Sequence, residues 1–311
     1  MARAVATSAR TLFRAAASSS SSSSPSRART ARTARASTAP APSSSSPRVA
    51  SAMEVHQFNA LDDNYGFALR CVASGVVALV DAPDYDDIAR ALDAKGWTPS
   101  IVLCTHWHRD HVGACATLRG TFPELRVYAP AREVESRKIP AEIVDVGVRE
   151  GDVVRVGDVR CVVRETPGHT LGHVVYHFEE EEKVFVGDTL FAGGCGRLFE
   201  GSPAQMWDSI SKILAMPDST MVYCAHEYTM SNMKFALSVD GGNEALQARA
   251  REVSEMRARG EPTVPTTVGV ERATNPFCRP MAASVQEGVG MAGCSDLAAV
   301  FGAVRRAKDN F

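Results

Sequence analysis

The sequence predicts an α+β protein: two strand-rich stretches, each bordered by helices, and then a helical tail. Three observations predict it. Short β-branched and apolar runs such as Ile101-Val102-Leu103-Cys104 and Val184-Phe185-Val186 cluster in two blocks and are separated by Gly and Asp turn signals. Apolar positions at helical spacing, such as Met206, Ile210 and Ile213, lie between and after those blocks. Histidine and aspartate recur where the strand patterns stop, and ligands of layered α/β proteins gather at such ends.

Taken in order, Val55–Phe58, Gly66–Val72 and Val76–Val80 read as strands, interrupted at Asp62-Asp63-Asn64 and at Gly75. Pro83 precedes a helix over Asp84–Lys95. Ile101–Cys104 is the next strand, and His111–Leu118 the next helix. Val153–Val156, Val159–Glu165, His173–Phe178 and Lys183–Val186 form a meander whose first two strands meet at the two-residue turn Gly157-Asp158. Ser202-Pro203 supplies an N-cap and a first-turn proline to a helix through Met206, Trp207, Ile210 and Ile213, which places Trp207 in the core. Met221–Ala225 is a strand; Asn232–Ser238, Asn243–Arg259 and Ser295–Lys308 are helices.

Composition separates the first 52 residues from the rest. Eight Arg, no Lys and no acidic residue precede Glu54, and serine fills 18–24 and 43–46. So little apolar surface cannot offset chain entropy, so residues 1–52 are expected to be a disordered organelle transit peptide. Arg3, Arg10 and Arg14 share one helical face with Val5, Leu12 and Ala16 opposite, which favours the mitochondrion, with the plastid as the alternative. Setting those eight Arg aside leaves 26 basic against 36 acidic residues, a net charge near −10. Such a charge argues against nucleic-acid binding. No apolar run reaches the roughly 20 residues of a membrane helix, so no membrane partner is expected. The eight cysteines form no C-x-x-C pair and read as reduced thiols, several inside apolar runs.

The chemistry concentrates in Thr105-His106-Trp107-His108-Arg109-Asp110-His111, directly after a strand. His106 and His108, two apart on an extended segment, project to one side, while Asp110 and His111 can serve a second position. So many ligands on one loop suit two ions, and imidazole with carboxylate suits Zn, Fe or Mn. Further along come His169 in Thr166-Pro167-Gly168-His169, Asp188 in Val186-Gly187-Asp188-Thr189, and His226 after Met221–Ala225. His173 shares a turn with His169 and reads as a residue that orients a ligand; His56 and His177 read as strand histidines.

These motifs resemble the metallo-β-lactamase superfamily and, within it, the hydroxyacylglutathione hydrolases (glyoxalase II). The T-H-x-H-x-D-H string marks the superfamily. Gly187-Asp188-Thr189-Leu190-Phe191, Gly194-Cys195-Gly196-Arg197, Phe199-Glu200-Gly201, Tyr223–Thr229, Asn275-Pro276-Phe277 and Arg305–Asp309 narrow it. The resemblance covers Met53 to Phe311. It implies a four-layer αβ/βα sandwich over residues 53–226 and a helical glutathione-binding domain over 227–311. It further implies a first metal on His106, His108 and His169, a second on Asp110, His111 and His226, and Asp188 bridging. Zn is the foremost candidate; Fe and Mn remain alternatives. Two such ions can lower the pKa of a shared water from about 15.7 toward about 7, and Asp110 and Asp188, beside the resulting hydroxide, are the catalytic candidates. A thioester suits that nucleophile because a thiol of pKa about 8.5 leaves readily.

By the same resemblance the substrate is a small-molecule S-(2-hydroxyacyl)glutathione, cleaved to glutathione and a 2-hydroxy acid in methylglyoxal detoxification. Arg197, Leu198, Phe199, His226, Glu227 and Tyr228 would line the peptide, and Arg305 and Lys308 would grip its glycine carboxylate. Arg197 stands where lysine is common and Phe199 where tyrosine is common. The implied role of Cys195 is structural, and the chain is expected to act as a monomer. The alternative is a mononuclear-iron glutathione persulfide dioxygenase, which shares the first metal string and the Gly-Cys-Gly-Arg turn. It usually lacks the Tyr-Cys-x-His-Glu-Tyr-Thr form and the long helical tail.

Overall fold

The computed structural model describes residues 53–311; the transit-peptide assignment for residues 1–52 lies outside the described residues. The first sheet contains β1 (Met53–Ala60), β2 (Asn64–Cys71), β3 (Val77–Val80), β4 (Ile101–Leu103), β5 (Arg126–Pro130) and β6 (Val146–Val148), hydrogen-bonded in that order. The first three strands are antiparallel neighbours and the last three pairings are parallel. Between them run α1 (Tyr85–Lys95), α2 (Arg109–Val112), α3 (Cys115–Thr121) and α4 (Ala131–Glu135). The second sheet contains β7 (Val153–Val156), β8 (Val159–Glu165), β9 (Val174–Phe178) and β10 (Lys183–Gly187); β11 (Leu190–Phe191) and β12 (Gly194–Cys195) then form a separate small hairpin. After α5 (Pro203–Leu214), β13 (Met221–Cys224) joins β10 in parallel. The tail supplies α6 (Thr229–Asp240), α7 (Glu244–Ala258), β14 (Thr266–Thr267), α8 (Val268–Thr274), α9 (Ala283–Gly288) and α10 (Leu297–Asp309).

Alternation along the strands builds the layers. Phe67, Leu69, Val80 and Leu103 pack inward with Phe185, Val186 and Tyr223 of the second sheet. Their neighbours Ala68, Leu79 and Val102 face the other way, where they meet Ile88 and Leu92 of α1 and Leu118 of α3. Outside the second sheet, Met206, Ile210 and Ile213 of α5 close the fourth layer. Asp84 caps α1 through bonds from the Asp86 and Asp87 amides, and Ser202 with Gln205 forms a capping box on α5.

Three expectations change. The single helix expected over His111–Leu118 is two short ones, because the chain bends at Gly113-Ala114; α2 begins at Arg109, so Asp110 as well as His111 sits inside it. Strands β5 and β6 escaped the sequence because they are short and carry Ala, Pro and Gly. The first tail helix is longer than expected, spanning Thr229–Asp240. The tail is mainly helical, as expected, and it packs onto the sandwich. Its β14 pairs with β13 at the edge of the second sheet, and Phe277, Phe301 and Val304 belong to the same apolar core as the sheets.

Candidate metal centre

All seven expected ligands converge at one edge of the sandwich, where β4, β10 and β13 end. Backbone geometry aims them. Gly187 closes β10 at a bulge with φ +47°, a left-handed conformation that favours glycine, and a Cβ there would meet Thr105 Oγ1 at 2.6 Å. The turn it makes swings Asp188 into the centre. Gly196 is needed for closeness instead: its Cβ would stand 2.0 Å from the Asp188 carbonyl.

Two sets of donors face one another. His106 Nε2 and His169 Nε2 each lie 3.0 Å from His108 Nδ1. On the other side, Asp110 Oδ2 is 3.2 Å from His111 Nε2 and 3.4 Å from His226 Nε2. Asp188 spans the two: its Oδ2 is 3.4 Å from His169 Nε2, and its Oδ1 is 3.4 Å from both His111 Nε2 and His226 Nε2.

The outer nitrogens fix the tautomers. His111 Nδ1–H donates to Asp81 Oδ2 (2.7 Å), His226 Nδ1–H to Asp63 Oδ1 (2.8 Å) and His169 Nδ1–H to the Arg197 carbonyl (2.8 Å). His106 Nδ1–H reaches Thr105 Oγ1 at 3.0 Å, which itself donates to Asp81 Oδ2 at 2.9 Å. Each of these rings therefore turns a bare Nε2 inward. Lone pairs that converge this closely repel unless a cation lies among them. His111 Nε2 and Asp188 Oδ1 are buried without a hydrogen-bond partner, and an orphaned pair of acceptors is what a metal ion satisfies.

Electrostatics agrees. Burial, then neighbouring imidazoles, holds His106 well below the ordinary imidazole value and His108 at about 4, so both are neutral donors. Burial also opposes charge on His226, but hydrogen bonds to Asp110 and Asp188 outweigh it and raise its pKa to about 10. Burial likewise opposes the Asp188 carboxylate, yet His111 and His226 keep it well below the usual carboxylate range. This half of the centre demands positive charge, which a proton or a metal cation can supply. The His/Asp cluster is thus able to bind metal ions.

The sequence did not single out Asp63 or Asp81 as parts of the site. Asp63 read as turn chemistry, and Asp81 as the residue after a strand; the available signal was that Asp81, like Asp188, directly follows an apolar strand. His173 plays the orienting part expected of it. Its Nε2 accepts from the Asp188 amide at 3.1 Å, and its ring stacks on His106 at 4.8 Å.

Aromatic side chains rim the centre. The exposed Phe199 ring meets His108 and His169 edge-on at 5.5 and 5.3 Å, and Tyr228 stacks on His226 at 4.7 Å. Arg197 is exposed beside them, whereas Leu198 packs its side chain against the core. Two residues expected at the substrate make contacts within the fold. The Glu227 carboxylate is engaged within the fold by the Tyr65 hydroxyl and by the Thr263 amide (2.9 Å) and hydroxyl (2.7 Å). Arg305 is buried: its guanidinium donates to the Cys195 carbonyl (2.9 Å) and to Asp309 (2.9 Å) and lies 5.1 Å over the Phe277 ring. Lys308 is half-buried and donates to the Ser231 carbonyl at 3.2 Å. Burial, then Arg305 and Arg197, lowers its pKa, and those two arginines pair with the carboxylate of Asp309. Cys195 is buried and pushed up to about 11, the state of an inert thiol.

Fold and donor set together define a metal-binding hydrolase of the metallo-β-lactamase superfamily. Its family model matches residues 72–226, and that of the "Hydroxyacylglutathione hydrolase C-terminus" matches residues 227–311. A hydroxyacylglutathione hydrolase of Maricaulis maris is 46% identical over 261 residues, covering 84% of this chain and 100% of that protein. One of Rhodopseudomonas palustris is 47% identical over 252 residues, covering 80% of this chain and 96% of that protein. Among solved structures, ETHE1 from Myxococcus xanthus aligns with a TM-score of 0.57 at 25% identity, over 81% of this chain and 90% of that one. The chain belongs to the hydroxyacylglutathione hydrolase family.

Proposed function

We propose that the protein hydrolyses S-(2-hydroxyacyl)glutathione, foremost S-D-lactoylglutathione, to glutathione and a 2-hydroxy acid (D-lactate), the second step of methylglyoxal detoxification. The observation that carries this reading is the pairing of two donor sets through Asp188 with a cluster of surplus positive charge at Arg197, Arg305 and Lys308. Two divalent cations, Zn foremost, fit the donors, with His106, His108 and His169 holding one, Asp110, His111 and His226 the other, and Asp188 shared. Bound there, they supply hydroxide at neutral pH and positive charge for the oxyanion that forms at the thioester carbon.

The protein's own residues position the substrate. Lys308, held by the Ser231 carbonyl, takes the glycine carboxylate with Arg305 beside it, and Phe199 and Tyr228 flank the peptide. Burial keeps the Tyr228 phenol protonated, so it remains a neutral donor beside the reacting carbonyl. The net charge near −10 over the chain after residue 52 supports a small-molecule rather than a nucleic-acid substrate. No helix of the described residues is long and apolar enough to cross a membrane. The protein acts as a monomer, and the arginine- and serine-rich extension directs it to the mitochondrion.

Steady-state hydrolysis of S-D-lactoylglutathione tests the substrate, with S-acetyl coenzyme A as the comparison. Equal kcat/KM on both thioesters would remove the glutathione assignment.

A further inference from the structure

One carboxylate just outside the centre, Glu200, touches the loops of several ligands. Glu200 follows Phe199 in the loop that leaves the β11–β12 hairpin. Its Oε1 accepts from Trp107 Nε1 at 2.9 Å, and its Oε2 accepts from the Leu171 amide at 2.8 Å. Lys138 pairs with Oε1 and lies over the Trp107 ring at 5.1 Å, so the carboxylate is neutralised where it stands.

Those partners are not scattered. Trp107 lies between the ligands His106 and His108, and Leu171 is two residues after His169. One side chain therefore ties the two loops that carry all three donors of the first set. The same turn is held from its other side by Glu133, which accepts from Thr170 Oγ1 at 2.6 Å and the Gly172 amide at 3.2 Å. The second set is braced by other groups: His111 and His226 lean on Asp81 and Asp63, and Asn64 Nδ2 donates to Asp110 Oδ2 at 3.1 Å.

We infer that Glu200 is a positioning residue for the first ion alone: it sets the spacing of His108 and His169 before any metal arrives. A preformed spacing removes ordering that binding would otherwise have to supply, and loss of such outer partners typically lowers metal affinity 10- to 100-fold.

The test is zinc binding to the full-length chain, stripped of metal and titrated against a competing chelator, with no substrate present. Glu200→Ala is expected to hold one equivalent at a free-zinc level where the wild type holds two. Anomalous X-ray scattering from crystals at that level is expected to place the remaining ion on His111 and His226. Glu200→Gln keeps one acceptor oxygen, so it should fall between the two, and it serves if the alanine variant folds poorly. Two equivalents retained by both variants, or parallel loss of both ions, would make Glu200 a general brace and overturn the inference. Because no turnover is measured, the outcome stands apart from the substrate assignment.

Discussion

Asp81 lies 2.7 Å from His111 Nδ1 and accepts from the Thr105 amide at 2.7 Å, so a residue that binds no metal orients ligands of both donor sets. It holds His111 directly and His106 through the Thr105 hydroxyl. Its φ of +60° is unusual for a non-glycine residue, and these bonds offset the strain. Asp81→Ala is expected to weaken metal binding about 10- to 100-fold at both positions, read by chelator competition. Wild-type affinity would mean that the loop backbone alone sets the ligands.

Asp188 is the only expected ligand whose two oxygens face different donor sets. Asp188→Ala should therefore lose bound metal and nearly all activity, with metal and turnover measured on one sample. An active variant retaining two equivalents would refute the bridging role.

Arg305 and Lys308 are expected to behave differently although they share a helix face. Lys308→Ala removes a charge-assisted contact and should raise KM for a glutathione thioester roughly tenfold, with a much smaller fall in kcat. Arg305→Ala should lower the thermal midpoint as well, because it leaves the Cys195 carbonyl without its buried donor, a loss of about 1–3 kcal/mol. Equal melting of both variants would return Arg305 to a purely substrate-facing role.

The ligands were legible in the sequence because each one ends an apolar strand or follows it within a few residues. Their supports were not. Asp63, Asp81 and Glu200 act through contacts 163, 30 and 93 residues away, and local pattern carries no trace of such partners. Nor does local pattern show where the Glu227 side chain goes. Glu227 adjoins the ligand His226, but Tyr65 and Thr263 draw its side chain inward. Strands β5 and β6 were missed because their register comes from pairing, β5 with β4 and β6 with β5, rather than from hydrophobic run length.

A fluorescent protein carrying residues 1–52 at its N-terminus is expected to enter mitochondria, because the segment is rich in Arg and Ser and free of acid. Import into plastids would correct the destination, and a cytosolic fusion would end the targeting proposal. Removing the segment should leave the kinetics of the purified protein unchanged.

The most direct measurement follows S-D-lactoylglutathione hydrolysis by purified protein with metal content determined on the same sample, beside oxygen uptake with glutathione persulfide. Rapid thioester hydrolysis by protein holding about two divalent ions, with no oxygen uptake, is the expected result. Oxygen consumption by protein holding a single iron, with the thioester left intact, would contradict it.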